Sequence, residues 1–271
     1  MEGTSTILEA TTTALGAAEA AHEGGIHVAL SAETITTLWG IPITNTLLMS
    51  WIVLAILIAL TFAISRRPQM VPGRIQLLLE EIVTYVHDFM RETLENDSIA
   101  RRYLPLLCTI FLFIATANLI EFTPGIGSLG FWHGEEFVPL LRSMNTDLNV
   151  TLSLAIIVVI VIEIAGIMAL GVWRYAGKFI NFSSPVNFAV GLIELVSEVS
   201  RLVSFSFRLF GNIFAGEVLL AVATYFVPYV IPSGLMAFEL FVGVVQGAVF
   251  ALLTLFFIKL AITDAHAEEA H

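Results

Sequence analysis

Residues 44–64 (TNTLLMSWIVLAILIALTFAI) run for 21 positions without a charged side chain. About 20 apolar residues in a helix cross the ~30 Å hydrocarbon core of a bilayer. Lipid offers the backbone no hydrogen-bond partners, so a stretch of this kind must be helical. Four more follow. Residues 104–120 make a shorter crossing, Leu148–Trp173 carries Glu163 as its one charge, and the tracts Pro185–Phe226 and Ile231–Ile262 are parted by Pro228 and Pro232. The whole chain is 57% hydrophobic and 13% charged, where soluble domains average about 45–50% and about 25%. Too few charges remain to cover a water-facing surface. An all-α membrane protein with five transmembrane helices is therefore expected, and soluble enzymes and disordered regulators are excluded.

Positive charge orients the helices, because Lys and Arg accumulate on the cytoplasmic side. With the N-terminus outside, the inner side receives Arg66, Arg67, Arg74, Arg91, Arg101, Arg102, Arg174, Lys178 and Lys259, and the outer side only Arg142. That bias of nine to one predicts an outer N-terminus and an inner C-terminus. Residues 1–43 hold no Lys or Arg but carry Glu2, Glu9, Glu19, Glu23 and Glu33. They lack the basic n-region of a signal peptide and read as an acidic, loosely ordered outer tail. A single membrane domain then covers 44–262, and 263–271 form an inner tail.

Within that domain, residues 73–95 place Ile75, Leu78, Leu79, Ile82, Val86, Phe89 and Met90 at three- and four-residue spacing, with acidic residues elsewhere. This is an amphipathic surface helix, in contact with lipid and open to another subunit. The outer loop 121–147, with five glycines or prolines between Pro124 and Gly134, reads as a turn-rich connection. The tract Pro185–Phe226 has 42 residues, roughly 63 Å as a helix. It exceeds the bilayer about twofold and must tilt steeply or break. With the tract that follows, it is expected to form a long, strongly tilted hairpin over 185–262, a shape suited to lying across something large.

Polar residues mark one face of the first hairpin helix. At ~100° per residue, Asn187, Glu194, Glu198, Arg201, Arg208 and Asn212 share an arc of about 80°. A cation at the bilayer centre costs at least ~2.5–3.5 kcal/mol, so this stripe faces protein or water. For Glu194, Glu198 and Arg201 two accounts stay open, a structural ion-pair ladder and the border of an aqueous pathway. Arg208 has no carboxylate one turn away and is a functional candidate. Glu217 falls off the stripe, in a different environment. On the last helix Glu239 and Gln246 lie seven residues apart with Gly243 between them, and Gly243 and Gly247 form a small-residue pair that permits close helix approach. Glu163 stands alone on its helix, either lining the same cavity or bonding to a neighbour.

Other chemistries find no support. His22, His27, His87, His133, His266 and His271 sit in tails or loops without metal spacing, and no phosphate-binding loop or nucleophile motif is present. Cys108 has no partner for a disulfide. A net charge of −11 disfavours nucleic acid. No metal, cofactor or catalytic site is expected.

The string FRLFGNIFAGE at 207–217 closely resembles the signature of subunit a of the F-type ATP synthase membrane sector. DLNVTLSLA at 147–155, PVNFAVGLIELVSEVSRLVSFSFRLFGN at 185–212 and VVQGAVFALLTLFFIKLA at 244–261 resemble the same family, so that the likeness spans about 40–262. The resemblance implies a stator whose long tilted helices press on a rotating ring of c subunits, each with an intramembrane carboxyl, beside the peripheral stalk b subunits in a bacterial plasma membrane. It also implies roles. Arg208 matches the arginine that faces the ring carboxyl and separates two offset proton half-channels. Asn212, Glu217 and Gln246 match polar residues near it, with Glu217 on the outer path. Glu194, Glu198 and Arg201 border the inner half-channel. Glu239 departs from the pattern, since some relatives carry histidine there. The rival readings are a secondary transporter, for which no internal repeat is visible, and a scaffold without ion traffic.

Overall fold

A computed structural model describes residues 32–38, 41–65, 73–123, 130–133, 136–179, 185–227 and 229–269. Most of the acidic tail, Arg66 and Arg67, part of the outer loop and the last two residues lie outside that set. Among the described residues there are seven α-helices: α1 (Asn45–Ser65), α2 (Arg74–Leu94), α3 (Asp97–Glu121), α4 (Leu148–Leu170), α5 (Val172–Phe179), α6 (Pro185–Phe226) and α7 (Val230–Glu269). Five of them, α1, α3, α4, α6 and α7, are long and apolar enough to cross a membrane.

Two short antiparallel hairpins accompany the helices. β1 (Thr34–Leu38) pairs with β2 (Ile41–Thr44), and β3 (Gly130–His133) pairs with β4 (Glu136–Pro139). The second hairpin lies in the connection read from sequence only as turn-rich, and the first lies in the stretch read as tail. Neither carries a long alternating pattern by which a strand announces itself.

Helix boundaries follow local chemistry. The crossing placed at 104–120 is longer, because Asn96 accepts hydrogen bonds from the Ser98 and Ile99 amides and starts α3 at Asp97. Arg101 and Asp97 then pair at 2.7 Å on its charged first turns. The third crossing ends at Leu170 instead of Trp173. Gly171 adopts φ +81°, a conformation open to glycine, and its amide bonds back to Ile167. The chain then restarts as α5, which the sequence reading had not separated. α7 stays helical through residue 269 instead of ending at 262.

The core joins four crossings. Ile110 and Ile114 of α3, Val158 and Ile162 of α4, Phe205 and Leu209 of α6, and Phe250 and Ile258 of α7 form one buried cluster. The amphipathic α2 docks beside it through Met90, against Leu107 of α3 and Leu255 of α7. Gly243 and Gly247 do permit close approach, and the partner is α3. Side chains at those positions would press on Asn118 and on the backbone of Phe111 and Ala115. Burial differs sharply along the hairpin. In its most apolar window α7 is 44% buried, whereas α6 is only 11% buried. α6 therefore lies on the flank of the bundle and turns a long apolar face outward, including Ile193, Val196, Val199, Val203 and Phe207.

Asp147 ties the opposite end of the bundle together. It caps α4 by accepting from the Asn149 amide at 2.9 Å and accepts from Thr46 Oγ1 of α1 at 2.9 Å, while staying 4% exposed. Asp147→Ala removes both contacts and is expected to destabilise the protein by about 2–3 kcal/mol. Asp147→Asn, which keeps an acceptor oxygen, should cost less. Thermal unfolding of the detergent-solubilised protein checks the order of the three, and equal midpoints for Ala and wild type would refute this role.

Candidate functional site

The outward face of α6 carries Arg208, held there by the helical spacing that also places Ser204 one turn earlier. Its Nη2 donates to Ser204 Oγ at 3.2 Å, and no carboxylate of the described residues forms an ion pair with it. The cation thus sits half exposed on the flank of the bundle. One turn on, Asn212 Nδ2 donates to Gln246 Oε1 of α7 at 2.6 Å. Gln246 is buried and its Nε2 has no hydrogen-bond partner.

Toward the α6–α7 turn lies an acidic cluster. Glu217 meets Arg142, Oε2 to Nη2 at 3.5 Å, and so faces away from the stripe as its helical angle requires. Glu239 is buried against α6, where the missing side chain of Gly216 makes room for its carboxyl. Its Oε1 has no hydrogen-bond partner. Glu121, at the end of α3, stands within electrostatic reach of Glu217, Glu239 and Arg142, and its Oε2 is likewise buried without a partner. A cavity of about 350 Å³ between α6 and α7 is lined by Asn212, Gly216 and Glu239 together with apolar residues. It links the level of Asn212 to this cluster.

On the other side of Arg208 lies a second polar cluster. Arg201 Nη1 pairs with Glu198 Oε2 at 2.7 Å, and its guanidinium stacks over Phe257 of α7 at 4.2 Å. Glu194 does not join them in a ladder. It pairs instead with Lys178 of α5 at 2.7 Å, because α5 folds back against α6 and supplies a nearer cation. Glu163 of α4 accepts from the Tyr175 hydroxyl at 2.6 Å. Burial, followed by that hydrogen bond, holds the Tyr175 phenol well above its usual range, so it donates and stays neutral.

Arg208 is about 15 Å along α6 from Glu198 and about 14 Å from Glu217, at ~1.5 Å per residue. The geometry is therefore two groups of titratable side chains, set apart along one helix with an unpaired cation between them. Such groups can take up and release protons or pair with a mobile ion. Among the described residues no group of His, Cys, Asp and Glu is set to hold a metal ion. Sequence reasoning missed Glu121, whose only local signal is its i, i+3 spacing from Asn118 at the end of an apolar run. It also treated Arg142 solely as a topological charge and passed over Tyr175.

Comparison with known proteins gives one family. Residues 47–259 match the family described as ATP synthase A chain. A protein of Moorella thermoacetica called ATP synthase subunit a is 31% identical over 218 residues, covering 80% of this chain and 90% of its own length. The ATP synthase subunit a of Mycobacterium bovis is 35% identical, with 84% and 89% covered. A third relative, from Propionigenium modestum, is called ATP synthase subunit a, sodium ion specific, and is 32% identical, with 86% and 79% covered.

Asn118 braces this site from behind. Buried in α3, it donates to the Gly243 carbonyl at 2.8 Å and accepts from Asn145 Nδ2 at 2.5 Å. Asn118→Ala leaves the Asn145 amide without its acceptor and is expected to cost about 1–3 kcal/mol. A lowered unfolding midpoint in detergent would bear this out; an unchanged one would remove Asn118 from the brace.

Proposed function

This chain belongs to the ATP synthase A chain family, and we propose that it is the ion-channel stator of the membrane sector of an F-type ATP synthase. Its two offset half-channels pass protons to and from the carboxyls of a rotating c-ring, coupling proton flow to ATP synthesis or to ATP-driven pumping. The observation that carries this reading is Arg208, a cation with no carboxylate partner among the described residues, on the outward face of α6 between two separate polar clusters. An unpaired guanidinium in a membrane demands a counter-charge from outside the chain. A ring carboxylate passing along α6 supplies one.

The roles follow from electrostatics. Arg208 favours the ionised form of each ring carboxyl at its level and, because guanidinium keeps its proton, passes none itself. It thereby blocks direct hopping between the half-channels. Asn212, Gln246, Glu239 and Glu217 line the path on the side of the α6–α7 turn, with Glu121 and Arg142 beside them. The cavity lined by Asn212, Gly216 and Glu239 supports that assignment. Glu194, Glu198 and Arg201 border the path on the opposite side. The nine-to-one bias of basic residues supports placing the turn outside and the C-terminus in the cytoplasm of a bacterial cell. The apolar face of α6 is the surface for the c-ring, and the peripheral stalk b subunits and lipid contact the remainder.

Arg208→Ala in the whole complex, assayed by ATP-driven acidification of inverted vesicles, is expected to cut pumping at least about a hundredfold with the complex still assembled. Arg208→Lys should also fail, because a lysine desolvated between lipid and the ring can release its proton. Retained pumping in Arg208→Ala complexes would sink the stator reading. Tolerance of lysine alone would favour a scaffold. Pumping that requires sodium and proceeds without acidification would transfer the same machine to the ion named for the Propionigenium modestum relative.

A further inference from the structure

Glu163 is a carboxyl in the middle of the membrane domain that the pathway above does not use. It has no charged neighbour on its own helix. The structure gives its two oxygens different surroundings. Oε2 accepts from the Tyr175 hydroxyl, whereas Oε1 is buried and has no hydrogen-bond partner. A carboxyl retained only to join α4 to α5 would be expected to have both oxygens satisfied, as buried polar groups generally are.

Tyr175 is fixed in place by its packing. Its ring fills the space that a side chain at Gly166 would take, one turn along α4 from Glu163, and it meets the edge of Phe179 with centroids 5.5 Å apart. Only 5% of it is exposed. Across from Glu163 stands Glu198 of α6, near enough for the two carboxyls to interact directly. The charged groups around this pair are Arg201 of α6, bonded to Glu198, and Lys178 of α5, bonded to Glu194.

We propose that Glu163 carries protons in the half-channel on the α5 side, exchanging a proton between its Oε1 and the Glu198 carboxyl, with Tyr175 as the positioning residue. The inference rests on the stator reading. In the exchange an O–H bond breaks on one carboxyl and forms on the other, so the pair keeps its net charge. Arg201 compensates that charge throughout. A proton arriving from the level of Arg208 displaces one to water at the α5 end. Tyr175 acts by holding Oε2, which leaves Oε1 free for the exchange with Glu198.

The test is ATP-driven pumping by the whole complex in inverted vesicles, with Arg208→Ala as the control and co-purification of the ring as the measure of assembly. Glu163→Gln keeps the shape but carries no proton, and is expected to slow pumping at least about tenfold. Glu163→Asp should restore part of the rate. Tyr175→Phe is expected to slow pumping less, and to add nothing in the Glu163→Gln background, since both act on one step. Wild-type pumping in assembled Glu163→Gln complexes, with Arg208→Ala inactive, overturns the inference and leaves the stator reading standing. Active Arg208→Ala complexes remove both. Additive losses from Tyr175→Phe and Glu163→Gln mark a structural brace and also overturn it. If Glu163→Gln fails to assemble, Tyr175→Phe decides alone, and an unchanged rate overturns the proposal.

Discussion

A guanidinium in hydrocarbon needs an anion or water beside it, and Arg208 has neither a carboxylate partner among the described residues nor a buried position. Much of the architecture is consistent with that demand. α6 lies on the flank of the bundle, so that the cation is presented outward. The α6 side chains exposed beside it, such as Val203 and Phe207, are apolar. α7 forms the wall behind α6, buried four times as fully as its neighbour. In the stator reading proposed above, a long hairpin with one charged level and two apolar flanks would bind a moving partner and still confine charge to one place.

The bundle behind that hairpin is held by contacts that suit lipid. Hydrophobic burial gives little driving force between helices when the surroundings are equally apolar, so close packing and interhelical hydrogen bonds carry more of the load. Gly243 and Gly247 bring α7 onto α3, and Asn118 exploits that closeness to reach the Gly243 carbonyl. Asp147 joins α1 to the start of α4. These are short polar links at the ends and seams of helices, where a backbone or hydroxyl group would otherwise be unsatisfied.

The two polar clusters differ in kind. On the side of the α6–α7 turn, three carboxyls and one arginine gather, with buried oxygens lacking partners and a cavity leading toward Asn212. On the other side each acidic residue of α6 has its own cation, and the unmatched oxygen belongs to Glu163 of α4. Unsatisfied buried oxygens are uncommon in proteins. Here they lie on both sides of Arg208, at Glu121 and Glu239 on one side and at Glu163 on the other.

The five crossings, the surface helix, the extent of α6 to the residue and the polar stripe around Arg208 were all determined by the sequence alone. Their causes are local: a run of apolar residues long enough for lipid, a 3.6-residue period, and a cation too costly to face hydrocarbon. Even the off-stripe direction of Glu217 follows from counting residues. The tertiary structure decided which side chains meet. Glu194 leaves the expected ladder for Lys178, Glu121 joins Glu217 and Glu239 from a helix nearly a hundred residues away in sequence, and Tyr175 reaches Glu163 after a break at Gly171. Helical spacing determines the face a residue occupies on its own helix, whereas the choice among partners on other helices depends on where small residues let those helices approach. That information resides in the packing of several segments at once, and no single stretch of sequence contains it.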